Sequence, residues 1–294
     1  MTSVDVNLHK NRPAFRTSFL KKLKIDSANI YDQNRIFQLH MLSITDIFEL
    51  AQNSKAHIGI CGGYKAESSA SKACDLGYGT VDVYHDATKL ALDLHDGKID
   101  AAVRGDTPSN DAMSAVRDVF GTSKVLRAAM MQPKDGRLFL LGPAGIDEGW
   151  TVPEKVQFAK LGADLFRKMG IEPVIGIMSG GRSSDLGRMP EIDQSIRNAE
   201  EAVRLAKLDG LNAVDMQILI EDAATTCDVI IAPDGISGNL IFRTLHFLGH
   251  GIAMGAPILN IDKVYIDTSR AKSDYVDAIA LASALVGKNI YNKQ

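Results

Sequence analysis

From about residue 57 onward, short β-branched runs alternate with amphipathic helical stretches, and this rhythm restricts the chain to folds built on a mostly parallel sheet. His57–Cys61 (HIGIC), Val81–Tyr84 and Ile99–Val103 read as strands. Ala66–Leu76, Ala87–Asp96 and a stretch from about Asn110 to Phe120 read as the helices that follow them. Each helix is stopped by a glycine, Gly77, Gly97 or Gly121, the residue that takes the left-handed conformation most readily. The pattern resumes with strand Arg137–Leu141 and a long helix opening at Pro153, with Val156, Ala159, Ala163 and Phe166 on one face. Strand Val174–Met178 follows, then a helix whose buried stripe is Ile192, Ile196, Ala199, Val203 and Ala206. Strand Asp228–Ala232, helix Asn239–Leu248, strand Val264–Ile266 and helix Tyr275–Leu285 complete the series. Right-handed βαβ crossovers are expected throughout.

A chain of 294 residues can hold two such units, and the polar break at 132–136 (QPKDG) is the best hinge between them. Residues 1–45 lack the rhythm, so the stretch ahead of Met41 reads as an added arm or as sequence upstream of the natural start. The expected layout is an arm over 1–40, a first α/β domain over 41–135 plus 272–294, and a second over 136–271. With 45% hydrophobic and 23% charged residues the composition excludes general disorder, and a net charge of −3 gives no sign of a nucleic-acid partner. Three cysteines without C-x-x-C spacing argue against a disulfide framework or a zinc site. No apolar run reaches the length of a membrane span and the start lacks a signal-peptide profile, so the expected compartment is the cytoplasm.

Ligands of parallel α/β sheets sit beyond the carboxyl ends of the strands, where helix N-termini offer free N–H groups. Four loops there have suitable composition. Gly62-Gly63-Tyr64-Lys65 is a tight strand-to-helix turn or a weak version of a dinucleotide or S-adenosylmethionine glycine turn, without G-x-G-x-x-G. Arg104, Gly105, Thr107, Ser109 and Asn110 combine a guanidinium, hydroxyls and a helix start, which suits an anion; alternatively Ser109 or Asn110 simply caps the helix. Ser179, Gly180, Gly181 and Arg182 make a phosphate cradle or a surface loop. Asp234, Ser237, Gly238 and Asn239 lie in PDGISGN, which opens an apolar helix. His246 and His250 are four apart, but the second lies past Gly249, so no metal site is expected. Cys61 is read as a buried hydrophobe because no base stands beside it.

PDGISGN is similar to the PDLNTGN-type motif of phosphotransacetylases and phosphotransbutyrylases. Gly255, Pro257, Ile258, Leu259, Val264, Asp267, Ser269 and Arg270 parallel that family's GPIL…V-x-D-x-SR segment. Asp215, Gln217 and Asp222-Ala223-Ala224 resemble its G-E-x-Q-x-D-A-A stretch, and Gly170-Ile171-Glu172-Pro173 its G-I-E-P. The similarity is dense after residue 150 and thin before it. The central region is shorter than in that family, the serine-rich loop is replaced by SGGRSSDLGR, and the acidic residue after SR matches either Asp274 or Asp277, the latter closer in spacing. With these departures and the ITDIFELAQNSKAHIGIC stretch, the chain most resembles MtxX, the methyltransferase-related, methanogenesis-marker family of methanogenic archaea.

The resemblance implies two Rossmann-like α/β domains with mostly parallel sheets, of the phosphotransacetylase and isopropylmalate-dehydrogenase architecture, paired as a homodimer. It implies group transfer in methyl metabolism at an interdomain anion cleft. The alternatives are a phosphate acyltransferase using coenzyme A and a non-catalytic anion-binding subunit of a methyltransferase complex. Coenzyme A or phosphate is the ligand implied. Arg270 would hold the anionic group, Ser269 would bond a developing oxyanion and Asp277 would relay a proton, with the four loops completing the site.

Overall fold

The computed structural model describes residues 42–287, so the expectations for the arm over 1–40 and for 288–294 fall outside the described residues. Helix α1 (Ile44–Asn53) opens on a reciprocal cap, in which the Ser43 hydroxyl accepts from Asp46 N–H and the Asp46 carboxylate accepts from Ser43 N–H. It leads into β1 (His57–Cys61), α2 (Tyr64–Asp75), β2 (Thr80–Tyr84), α3 (Ala87–His95), β3 (Ala101–Val103) and α4 (Ser109–Phe120). Then come β4 (Ala129–Gln132), β5 (Phe139–Gly142), α5 (Val152–Lys168), β6 (Ile175–Met178), α6 (Pro190–Leu208), β7 (Ala213–Gln217), α7 (Ile220–Thr226) and β8 (Val229–Ile231). Helix α8 (Gly235–Arg243), β9 (Ile252–Pro257), β10 (Val264–Asp267) and α9 (Val276–Val286) complete the order.

The α/β class holds, with one ten-stranded sheet in the order β2-β1-β3-β10-β9-β4-β5-β8-β6-β7. The pairings β1·β2, β1·β3, β3·β10, β5·β8, β6·β8 and β6·β7 are parallel. Only β9·β10, β4·β9 and β4·β5 are antiparallel. Helices cover both faces at the β1 end: Ile58 and Ile60 pack with Ala66 and Ala70 of α2 on one side, while Cys61 and Ala102 pack with Leu90 and Leu94 of α3 and Met113 of α4 on the other. Buried residues run around α9, and it packs against α1, α2 and the strands β1, β3, β9 and β10. Among the described residues no helix is long and apolar enough to cross a membrane.

Three strands, β4, β7 and β9, and the short α7 lie where the sequence rhythm gives no element. The helix expected over Asn239–Leu248 instead starts at Gly235, where the Asp234 carboxylate caps it by accepting from Ser237 N–H, and gives way after Arg243 to a π turn over Thr244–Leu248. At α4 the N-cap is Pro108 with no side-chain cap bond, so neither Ser109 nor Asn110 is the capping residue.

The pairings have one consequence for the site. Strands β1, β2, β3, β10 and β4 run one way, and β9, β5, β8, β6 and β7 run the other. Their carboxyl ends nevertheless meet, because the chain just before β4 touches both sets. Ala144, after β5, donates its N–H to Arg127 O at 2.8 Å, and Ala128 N–H donates to Pro257 O at 3.3 Å, next to β10.

Candidate functional site

Arg127 is the centre of that meeting point. Its Nε donates to Glu148 Oε1 at 2.8 Å and its backbone N–H to Glu148 Oε2 at 2.9 Å, while NH1 donates to Asp267 Oδ2 at 3.1 Å. Burial works against the Arg127 charge, but Glu148 and then Asp267 outweigh it and hold its pKa above the ordinary arginine value. Burial pushes the Glu148 carboxyl up, against the pull of Arg127. The two N–H bonds reaching both oxygens of Glu148 favour the ionised pair.

Asp267 also faces Arg104, whose Nε lies 2.5 Å from Asp267 Oδ1 without hydrogen-bond alignment. The Arg104 NH1 donates to Thr107 O at 3.0 Å, and the residue is 5% exposed. Arg104 therefore stands in the wall of the site, spent on Asp267 and its own loop. Thr268 Oγ1 donates to Gly105 O at 2.7 Å and ties the ends of β3 and β10 together.

The 269–277 segment leaves β10 over this network. Lys65 Nζ pins it from α2 by donating to Arg270 O at 3.3 Å and Lys272 O at 3.2 Å. Lys272 Nζ donates to Ala253 O at 2.7 Å and lies 3.6 Å from Asp277 Oδ2, in the first turn of α9. Ser269 Oγ accepts from Ala271 N–H at 3.2 Å. The Arg270 side chain is exposed and makes no hydrogen bond or ion pair among the described residues. Within the segment, burial and then Asp106 push the Tyr275 phenol up to about 12, and it lies within electrostatic reach of Arg104 and Arg270.

The remaining loops divide into two groups. The 233–239 loop docks on the 142–149 loop: Asn239 Nδ2 donates to Ala144 O at 3.0 Å, and the Asp234 oxygens accept from Ser237 N–H at 2.8 Å and Ser237 Oγ at 3.1 Å. Lys155, 2% exposed, joins both loops by donating to Gly149 O and Pro233 O, each at 2.5 Å, and burial lowers its pKa. By contrast, the bonds of the 179–182 loop go to other partners. Ser179 N–H donates to Gln217 O, Gly180 N–H to Ser195 Oγ and Arg182 N–H to Asp185 Oδ2, each at 2.8 Å. Arg127, Glu148 and Lys155 were not singled out by the sequence reading, although an arginine inside VLRAAMM and a lysine beside the buried Val156 each required a buried partner.

Cys61 is buried, and desolvation raises its thiol pKa; that of Cys227 is pushed up to about 11 by the same cause. Cys74 is exposed. Alkylation by iodoacetamide followed by mass spectrometry should therefore modify Cys74 in the folded chain, and Cys61 and Cys227 only in denaturant. Rapid native labelling of Cys61 would show its strand end to be open.

The sheet order, with its reversal at β9 and β4, and the loops gathered on Arg127 define an α/β protein of the phosphotransacetylase fold. EutD phosphotransacetylase from Staphylococcus aureus shares this fold with a TM-score of 0.65, covering 83% of this chain and 99% of that one at 14% identity. No family model matches the sequence. The chain belongs to the family of the proteins named "Putative methyltransferase mtx subunit X". The relative from Methanosarcina mazei is 39% identical over 250 residues, covering 79% of this chain and 89% of its own length. That from Methanosarcina barkeri is 44% identical over 205 residues, covering 70% and 76% respectively.

Proposed function

We propose that this methyltransferase-related protein is a group transferase of methyl metabolism that takes a small anionic substrate over the 269–277 segment. The carrying observation is Arg270, an exposed guanidinium at the carboxyl end of β10 that makes no hydrogen bond or ion pair among the described residues. Asp267, the nearest carboxylate in sequence, is already engaged by Arg104 and Arg127, so Arg270 is left for a ligand. Its planar donors suit a phosphate or carboxylate, and inorganic phosphate or coenzyme A is the ligand class this reading implies. Ser269 would donate to an oxygen of the bound group, and Asp277 would accept a proton from an attacking thiol. The interdomain cleft of this reading lies between the β1–β3 side and the β5–β8 side of the sheet.

A non-catalytic subunit is the second reading. It is favoured by the relatives' name as a subunit and by the exposed Ile236, Leu240, Phe247, Leu248 and Ile252 on α8, the following turn and β9, apolar surface that a second copy or another subunit would cover.

Thermal shift with inorganic phosphate and with coenzyme A tests the site. Arg270→Gln should melt within about 1 °C of wild type without ligand, as expected for an unpaired surface group, and should lose the ligand-induced rise. A variant that is destabilised alone, or that keeps the full rise, removes Arg270 from the site. Anion binding without acetyl-coenzyme A:phosphate exchange or methyl transfer would favour the subunit reading.

A further inference from the structure

The carboxyl ends of β1, β2 and β3 border an open cleft of about 630 Å³, lined by no residue of the 269–277 segment. It lies where the sheet order reverses. Through α2 the chain passes from β1 to β2 on one side, and through α3 it returns to β3 on the other. Helix α2, after β1, packs on the Ile58 and Ile60 face and α4, after β3, on the Cys61 face, so the connections after β1 and β3 diverge to opposite sides of the sheet. Open α/β sheets bind ligands at such a reversal.

The lining chemistry narrows the ligand. Gly62 has φ 151°, and a Cβ there would run into the Asp106 carboxylate, which accepts from Gly63 N–H at 3.0 Å. The turn thus seats the Asp106 carboxylate against bare backbone in the lining of the cleft. Asp86 stands just past β2, where an acidic side chain bonds a ribose diol in dinucleotide folds. Its two cap bonds both go to Oδ1, and Oδ2 carries none. His85 Nδ1 is held by Gly62 O at 2.9 Å. Asp86, Asp106 and Asp111 line the cleft, and no lysine or arginine does. A di- or triphosphate would meet three carboxylates without a counter-charge, whereas a cation would be attracted.

We propose that this cleft binds an adenosyl sulfonium, the S-adenosylmethionine class of ligand, with its ribose hydroxyls on Asp86 and its positive sulfur facing Asp106 and Asp111. The site does not depend on the Arg270 assignment. Isothermal titration of the full chain with S-adenosylmethionine, S-adenosylhomocysteine and ATP tests it. The sulfonium should bind more tightly than the neutral thioether, and ATP more weakly than either. Asp86→Asn keeps the cap of α3, since asparagine caps as well as aspartate, and should weaken both adenosyl ligands about tenfold. Asp106→Asn keeps an oxygen for Gly63 N–H but removes the charge. It should cost the sulfonium about tenfold and the thioether much less. Circular-dichroism melts confirm that both variants fold. Lack of S-adenosylmethionine binding at roughly millimolar concentration, ATP binding as tight as the sulfonium, or wild-type affinity in both variants would overturn the proposal. Arg270→Gln should leave the sulfonium affinity unchanged and Asp86→Asn should leave any phosphate-induced rise unchanged, so each site can fail without the other.

Discussion

Asp267→Asn should destabilise the protein by about 3–5 kcal/mol, the range found when one partner of a buried ion pair is removed. The carboxylate lies 2.5 Å from Arg104 Nε on one oxygen and 3.1 Å from Arg127 NH1 on the other, with side-chain exposures of 6%, 12% and 17% for Arg104, Asp267 and Arg127. Asparagine is nearly isosteric, so packing hardly changes and the loss is electrostatic. Arg127 retains Glu148, but Arg104 is left with the Thr107 carbonyl alone. The cost therefore falls mainly on Arg104, buried and without a counter-charge. In a chain of this size the expected fall in Tm is roughly 6–20 °C. Asp267→Glu should recover part of it, since the charge returns on a longer stem. A fall of under about 2 °C for Asp267→Asn would mean that water or another group screens Arg104, and that the network does not hold the two sets of strand ends together.

The parallel parts of the fold, β7 and α7 excepted, were legible because their elements carry a local signal. HIGIC and DVIIA are β-branched runs, and the stripes on α5 and α6 recur at helical spacing. The antiparallel centre carries no such signal. β4 is AMMQ, with no strong strand former among its residues, and β9 is IAMGAP, whose glycine and proline read as a turn. Both exist because each finds a partner far away in sequence: Met130 pairs with Gly255. The site divides in the same way. Arg270 and Asp234 were visible through glycine- and serine-rich surroundings or a family-like motif. Arg127 and Glu148 sit in VLRAAMM and GIDEGW, and their significance lies only in meeting each other and Asp267 across the sheet. Arg104 had the right loop composition for an anion, yet its composition could not reveal that Asp267 lies opposite it.

Gly238→Val should cost about 3 kcal/mol or more, the upper part of the range for an overfilled core. The sequence puts Gly238 in one of the four loops suited to a ligand at a helix N-terminus; in the structure the Pro143 carbonyl lies against its Cα. A Cβ on Gly238 would lie well under 3.0 Å from the Pro143 carbonyl oxygen, with Ala232 Cβ only 3.3 Å away, so backbone would have to move. Gly235 meets the Gly145 carbonyl in the same way, and α8 is pressed onto the 142–149 loop along its first turn. Backing away would strain the Asn239 bond to Ala144 O and the Lys155 bridge to Pro233 O, because both span the same seam. The alanine variant decides the matter by sign. In an open helix Gly→Ala stabilises by about 0.5–1 kcal/mol through backbone entropy and helix propensity. Against a fixed carbonyl the same methyl group is repelled, and relief requires shifting a helix terminus held by the Asn239 bond and the buried Lys155 bridge. Gly238→Ala should therefore melt below wild type, with the valine variant lower still, in the absence of any ligand. An alanine variant melting at or above wild type would mean that α8 stands off from the Pro143 carbonyl, leaving room at its N-terminus for the ligand that the sequence suggested.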